Sequence, residues 1–136
     1  MGAFVNSLGY ELWYDYLVGG VLSFRMDHYR RVNGYSNMYW AWGGEDDDMG
    51  KRLLHANLTI DRPDRATMSY TMLKHRKRQR TAPKLIYQLL GEAEKRYERD
   101  GLAQQQWRIL KISRKPLYYH VFVDVGTPPN EWRATV

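Results

Sequence analysis

The chain contains no cysteine, which removes disulfides and thiolate metal sites from its chemistry. The redox compartment stays open, because a lumenal domain can fold without bridges. No apolar run approaches the ~20 residues of a membrane span. The first residues, Met1-Gly2-Ala3-Phe4-Val5-Asn6, lack a basic stretch followed by an apolar one, so they do not read as a signal peptide. By itself the chain is not expected to enter the secretory pathway. Internal repeats and low-complexity linkers are missing too. What remains is 136 residues, the length of one domain, able to bury ~68% of its unfolded surface. A hydrophobic content of 43% with 14% aromatics favours a packed core over disorder.

What is present is concentrated. Trp40-Ala41-Trp42-Gly43-Gly44-Glu45-Asp46-Asp47-Asp48 puts two indoles, two glycines and four adjacent carboxylates into nine residues. Adjacent acids repel one another at neutral pH, so a compact protein normally spreads them. A Gly-Gly pair allows φ > 0 and lets backbone approach a ligand closely. Indole faces pack on the C–H patches of a sugar, while carboxylates accept hydrogen bonds from its hydroxyls and one can act as a base. The plainer reading is an acidic first turn of a helix, with Gly43-Gly44 as the preceding loop. The two are compatible, because a helix starting here presents its acids at its mouth. The segment reads as a sugar site.

The formal net charge is +6 and the pI is near 9.6. Much of the excess sits in Lys74-His75-Arg76-Lys77-Arg78-Gln79-Arg80. Such a run is a solvated loop, a nucleic-acid or nuclear-localisation patch, or a loop that neutralises a diphosphate. Its place just after a candidate metal motif favours the last. Nucleic acid is not expected as a partner, because the aromatics cluster with acids, which repel phosphate.

Along the chain, residues 10–24 read as a strand passing through Gly19-Gly20, where another group approaches closely. Residues 25–32 read as a short helix stopped by Asn33-Gly34. A helix over 47–57 has Met49, Leu53, Leu54 and Ala56 as its apolar face. Ile60 enters a brief extended stretch limited by Pro63. Pro83 starts the clearest helix, with Leu85, Ile86, Leu89, Leu90, Ala93 and Tyr97 on one stripe and Asp100-Gly101 as its stop. Strands are expected at 107–112 and 118–125, ahead of an aperiodic tail. This is a mixed α/β chain with too few strands for a doubly wound sheet.

Three further features stay ambiguous from residue types alone. Met72 and His75 have metal-ligand spacing, but a lone histidine in a basic run is commonly a surface residue and Met is soft for a hard cation. Asp124 lacks the partner of an Asp-x-Asp pair, since position 122 is Phe, and reads as structural. Asn57-Leu58-Thr59 is a formal glycosylation sequon, meaningful only in a secretory lumen.

Gly19-Gly20-Val21, Val32-Asn33-Gly34-Tyr35-Ser36-Asn37, Tyr39-Trp40-x-Trp42-Gly43-Gly44-Glu45-Asp46-Asp47-Asp48, Arg62-Pro63, Met72-Leu73-Lys74-His75, Asp100-Gly101-Leu102 and Pro116-Leu117-Tyr118 occur in that order. Together they resemble the C-terminal half of the β-1,4-galactosyltransferases and their N-acetylgalactosaminyltransferase relatives. The resemblance implies the C-terminal half of a GT-A type α/β fold, a mixed sheet with flanking helices. It would make residues 1–126 the C-terminal catalytic domain and 127–136 an irregular tail. The implied chemistry is inverting transfer from UDP-GalNAc or UDP-Gal to the 4-hydroxyl of a GlcNAc-terminated acceptor, with Mn²⁺ on the diphosphate. The implied location is the Golgi lumen, for a full-length enzyme with a membrane anchor; this chain has no membrane segment of its own.

By motif position Asp46 resembles the catalytic base, and a carboxylate among carboxylates should have a raised pKa, which suits that role. Glu45, Asp47, Tyr14 and Tyr39 resemble acceptor-site residues, with Gly44 giving room for the sugar ring. Trp42 resembles the tryptophan of a small loop closing on the donor. Met72 and His75 resemble two metal ligands, and the segment after His75, including Arg76 and Lys77, lies near the donor phosphates. Leu17 stands where galactosyl-transferring members have Tyr, which tilts donor choice towards UDP-GalNAc. The family's Asp-Val-Asp motif and UDP-binding half are not in this chain, so alone it is expected to be inactive. The alternative is a non-catalytic family member acting as a carbohydrate-binding or interaction module.

Overall fold

The computed structural model describes residues 4–130. In chain order the elements are β1 (Phe4–Val5), α1 (Met26–Arg31), α2 (Glu45–His55), β2 (Ser69–Tyr70), α3 (Pro83–Arg96), β3 (Arg108–Arg114) and β4 (Tyr119–Asp124). Short 3₁₀ turns lie at Asn6–Leu8, Tyr97–Arg99 and Leu102–Gln104.

The helices start and stop for local reasons. Helix α1 ends as expected, with Asn33 at φ 55° and Gly34 at φ 64°, the left-handed stop these residues tolerate. Helix α2 follows Gly44, whose φ is 92°. A Cβ there would lie 2.9 Å from both Ile86 and Tyr39 side chains, so only glycine fits. At the other end of α2, Asn57 turns left-handed at φ 52° and Leu58 N–H donates to the Leu53 carbonyl at 2.9 Å. Asn57 is exposed there, at the end of α2 away from the acids. Helix α3 opens with Pro83, where the missing N–H costs nothing.

Val18, Val32, Met49 and Leu53 form the core, with Leu22, Phe24, Tyr29 and Ile60 packed around them. Leu89 and Ala93 of α3 are buried as α3 packs on α2. The predicted apolar face of α2 is half right. Met49 and Leu53 are buried, but Leu54 is 52% exposed, because it projects on the side of α2 that no described element covers. Tyr97 lies beyond α3, in the following 3₁₀ turn.

The strand expected over 10–24 does not form. The segment is a loop, with Leu17 N–H turning back to the Tyr14 carbonyl at 3.1 Å and Gly20 at φ 86°. Arg62 replaces a strand partner: its guanidinium donates to the carbonyls of Asp15 at 2.7 Å and Leu17 at 2.6 Å. Gly50 seats the loop, since a Cβ there would meet the Tyr16 carbonyl oxygen at 2.3 Å. The strands are mixed in direction, as expected, and form two pairs. β1 and β2 are parallel, with Phe4 opposite Ser69. β3 and β4 are antiparallel from Arg108↔Asp124 to Arg114↔Tyr119, with a bulge at Leu110. Asp124 is structural as expected: it pairs with Arg108 at 3.1 Å and accepts from Gly126 N–H at 2.9 Å. Residues 125–129 are irregular, and the rest of the predicted tail, 131–136, lies outside the described residues. No helix among the described residues is long and apolar enough to cross a membrane.

Candidate functional site

Four acids begin α2, and the structure gives each a different task. Glu45 accepts from Gly43 N–H at 2.8 Å, which ties down the glycine turn. Asp47 accepts from the Tyr14 hydroxyl at 2.5 Å. Asp48 is fully buried, taking Arg52 Nε at 2.6 Å on one oxygen, with Arg96 at 2.7 Å and the Tyr39 hydroxyl at 3.1 Å on the other. Among the described residues no hydrogen bond reaches the side chain of Asp46. Its carboxylate lies against Gly19, where a Cβ would stand 2.9 Å from Oδ2. That glycine keeps the space beside it open.

Asp46 is also electrostatically distinct. Burial first, then the charges of Glu45 and Asp47, raises its pKa above the ordinary carboxylate value. The α2 N-terminus opposes this, since a helix N-terminus stabilises a carboxylate by ~0.3–1 kcal/mol. Burial and repulsion win. The Tyr14 phenol is pushed up by burial and by its bond to Asp47. Tyr35 is pushed up to about 12 by burial and by the nearby Asp46 charge, so it faces the same acids, although residue types alone did not single it out.

Behind the mouth lies a buried charge network. Arg52 donates to the carbonyls of Gly34 at 3.1 Å and Asp100 at 2.8 Å, and to the Asp100 carboxylate at 3.2 Å. Arg96 bonds Asp100 and Ser36 as well as Asp48. Burial would lower the Arg96 pKa, but the charges of Asp48 and Asp100 outweigh it and raise it. Asp100 also receives Asn37 N–H at 2.8 Å. The network joins α2, α3 and the 33–37 turn beneath Tyr39. Sequence reasoning missed it, though Asp48 and Arg52 stand at i, i+4 spacing, a signal that was available.

The tryptophan loop is joined to the basic run. Trp42 N–H donates to the Gln79 carbonyl at 3.1 Å, and Thr81 N–H donates to Trp42 O at 3.0 Å. The Arg80 guanidinium sits over the Trp42 ring, 5.5 Å from its centroid, a cation–π contact. A cleft of about 380 Å³ opens here, lined by Tyr39, Trp40, Trp42, Glu45, Arg78 and Gln79. The structure therefore brings Trp42, Glu45 and Tyr39 to one cleft. Arg78 and Arg80 are the cations that meet the loop, and Arg76 and Lys77 are exposed in the same run. Leu17 lies in the loop that carries Tyr14 and Gly19 to the acids, its carbonyl held by Arg62.

Met72 and His75 offer an incomplete metal donor set. His75 Nδ1 lies 2.9 Å from the Leu73 carbonyl, the kind of second contact that orients a metal-ligating imidazole. Met72 is 47% exposed, and its sulfur accepts from the Ser7 hydroxyl at 3.5 Å. No cluster of three or more His, Asp or Glu suited to a metal occurs among the described residues. A hard ion such as Mn²⁺ needs oxygen donors, which neither Met72 nor His75 supplies.

Comparison with known proteins agrees on the kinship. A family model described as the N-terminal domain of galactosyltransferase matches residues 1–76. Beta-1,4-galactosyltransferase 3 of Rattus norvegicus is 37% identical over 132 residues, which is 96% of this chain and 33% of that protein. Beta-1,4-galactosyltransferase 2 of Homo sapiens is 33% identical over 127 residues, covering 93% of this chain and 34% of that protein. The chain thus spans about a third of the length of these relatives. The catalytic domain of Drosophila β1,4-galactosyltransferase 7, solved with xylobiose, superposes with a TM-score of 0.65 at 26% identity, over 88% of this chain and 53% of that one. A variant of the same enzyme, solved with manganese, UDP-Gal and xylobiose, gives a TM-score of 0.67. The fold is GT-A type, built from mixed helix and strand. The family model's description speaks of an N-terminal domain, whereas the motifs resemble the later half; the two differ on position, not on kinship.

Proposed function

The chain belongs to the galactosyltransferase family, and on that premise we propose that it is the acceptor-side half of an inverting glycosyltransferase, with Asp46 as the base. Residues 1–126 would form that catalytic part. The observation that supports this most is the division of labour among the four acids. Three are engaged, and the one left open is partly buried with a raised pKa, the properties of a general base.

In the proposed step the 4-hydroxyl of a GlcNAc-type acceptor attacks C1 of the donor sugar. The C1–O bond to the diphosphate breaks, UDP leaves with the electron pair, and the hydroxyl proton goes to Asp46. Configuration at C1 inverts. Glu45 and Asp47 hold acceptor hydroxyls, with Asp47 oriented by Tyr14. Tyr39 and Trp42 supply apolar and aromatic surface for the sugars. Arg78 and Arg80 offer positive charge to the leaving diphosphate. Manganese, when bound, would neutralise charge on that diphosphate, and Met72 and His75 are the residues of this chain that would hold it. The donor is UDP-GalNAc in preference to UDP-Gal, from Leu17. A Golgi lumenal setting follows from the same reading.

The test is Asp46→Asn in a complete enzyme carrying this segment. Turnover should fall ~10²–10⁴-fold, the usual worth of a general base, with UDP-sugar affinity nearly unchanged. Near-normal turnover sinks the assignment.

A second reading has its own support. That reading is a carbohydrate-binding module, supported by the meeting of Tyr39, Trp40, Trp42 and Glu45 in one cleft. Robust Mn²⁺-dependent transfer by residues 1–136 alone would refute it.

A further inference from the structure

Two asparagines end helices in the left-handed conformation, and the fold treats them differently. Asn33 stops α1 at φ 55° and Asn57 follows α2 at φ 52°. The Asn33 side chain is engaged at both polar atoms. Its amide nitrogen donates to the Tyr97 carbonyl at 2.8 Å and to Gln104 Oε1 at 2.7 Å, and its oxygen accepts from Ala103 N–H at 2.8 Å. Asn6 is held by Met72 N–H and Asn37 by the Gly101 carbonyl. Among the described residues no hydrogen bond engages the Asn57 side chain, and Asn57 is exposed.

A left-handed stop needs only a residue that tolerates φ > 0, and glycine serves best. The turn therefore does not account for the pattern around Asn57. Asn57-Leu58-Thr59 is the one Asn-x-Ser/Thr triplet in the sequence. Leu58 packs against the core cluster, and its N–H closes the turn onto the Leu53 carbonyl. On either side of it Asn57 and Thr59 are exposed, and among the described residues the Thr59 hydroxyl is unbonded too. The middle residue anchors the turn while the amide and the hydroxyl stand free in solvent. That is the surface placement a bulky, polar glycan requires of its acceptor triplet.

We propose that Asn57 is an N-glycan acceptor, modified in a secretory lumen from a lipid-linked oligosaccharide diphosphate. The amide nitrogen attacks C1 of the first sugar and gives up one proton as the N–C1 bond forms. The C1–O bond to the diphosphate breaks, and the lipid diphosphate leaves with the electron pair. The lumenal glycosylation machinery performs this step; the chain supplies the acceptor. Helix α2 runs for 11 residues between the acid mouth and Asn57, roughly 16 Å of helical rise. A glycan there grows from the opposite end of α2 and leaves the sugar site open. The lumenal setting rests on the functional reading above, whereas the acceptor rests on the triplet, its exposure and its free amide.

The test expresses the full 136-residue chain behind a cleavable signal sequence in animal cells. The lumenal chain should run as one heavier species that peptide N-glycosidase collapses, leaving aspartate in place of Asn57. Asn57→Gly keeps the left-handed turn and Thr59→Ala keeps the asparagine, yet each should abolish the heavier species. In a complete enzyme carrying this segment, Thr59→Ala should leave kcat/KM within about twofold, given the helix length between glycan and acids. An unmodified lumenal chain, a glycan that survives Thr59→Ala, or one mapped to another residue overturns the proposal. A kcat/KM that falls well beyond that range overturns the placement of the glycan away from the site. A complete enzyme that stays out of the lumen under its own targeting, while the signal-directed chain is modified, refutes the lumenal setting alone and supports the acceptor.

Discussion

The helical body and the β3–β4 hairpin invert the usual distribution of charge and hydrophobicity. In the body, Asp48, Arg52 and Asp100 are buried and paired beneath the acid mouth. In the hairpin, isoleucines and valines face water. Buried ion pairs seldom stabilise a fold beyond what apolar packing would, but breaking one is costly. Exposed apolar strands gain nothing until covered. The body thus fixes the geometry of the acids by buried pairing, whereas the hairpin leaves apolar residues exposed to water.

The largest expected effect breaks the body. Arg52→Met keeps volume but removes both pairings of the guanidinium and strands the Gly34 and Asp100 carbonyls. It should destabilise the chain by ~3–5 kcal/mol, read by urea or thermal unfolding. A cost below about 1 kcal/mol would show that Arg96 alone carries the network. Next, Gly50→Ala drives a Cβ against the Tyr16 carbonyl and should cost ~1–3 kcal/mol. In a complete enzyme it should also lower turnover, because the loop that brings Tyr14 to Asp47 must shift.

The body was largely legible in the sequence, because its signals are local. Pro83, the Asn33-Gly34 stop and the 3.6-residue stripe of α3 each act within a turn or two. The start of α2 at the acid run was legible for a similar reason, since Gly43-Gly44 allows the positive φ that precedes it. Residues 10–24 misled because their apolar pattern imitates a strand, while the decisive partner, Arg62, lies some forty residues away and binds carbonyls that any residue has. The Asp48–Arg52–Asp100–Arg96 cluster was hidden likewise: charged residues read as surface, and only the folded chain shows that they satisfy one another. The two strands near the end were legible as strands. That they would stand apart from β1 and β2 was not, because alternation specifies a face and not its partner.

Donor choice sharpens the contrast at the loop that the body holds. In a complete enzyme, Leu17 should leave room beside donor C2 for an N-acetyl group, so kcat/KM should favour UDP-GalNAc over UDP-Gal by ~10–200-fold, or ~1–3 kcal/mol. Leu17→Tyr should reverse the order. A parent that prefers UDP-Gal would remove Leu17 from the specificity determinants.

Protonation offers a gentler test of which acid stands outside the network. The raised pKa of Asp46 means the folded chain holds its proton more tightly than the unfolded one. Stability attributable to it is therefore present at low pH and lost as pH rises from the ordinary carboxylate range through the Asp46 value. Asp46→Asn should be more stable than the parent at pH 7 and equal to it below pH ~4. In the complete enzyme the parent's turnover should fall on the acid side through the same group. A variant less stable at pH 7 would mean that Asp46 is paired like Asp48, and the division of labour among the acids would fail.

The smallest effect is expected in the hairpin, and it is the most pointed check on the inversion. Ile112 is 56% exposed in this chain, so Ile112→Ser removes apolar surface that water already touches. The thermal midpoint of the 136-residue chain should move little, with a stability change within about 0.5 kcal/mol. The same truncation logic at the buried Met49, as Met49→Ala, should cost ~2–5 kcal/mol. Should Ile112→Ser approach the Met49 value, the apolar face must already be covered in the free chain, and a concentration-dependent midpoint would identify a second copy as the cover. Should it stay near zero, Ile112 is surface in the free chain, as its exposure indicates.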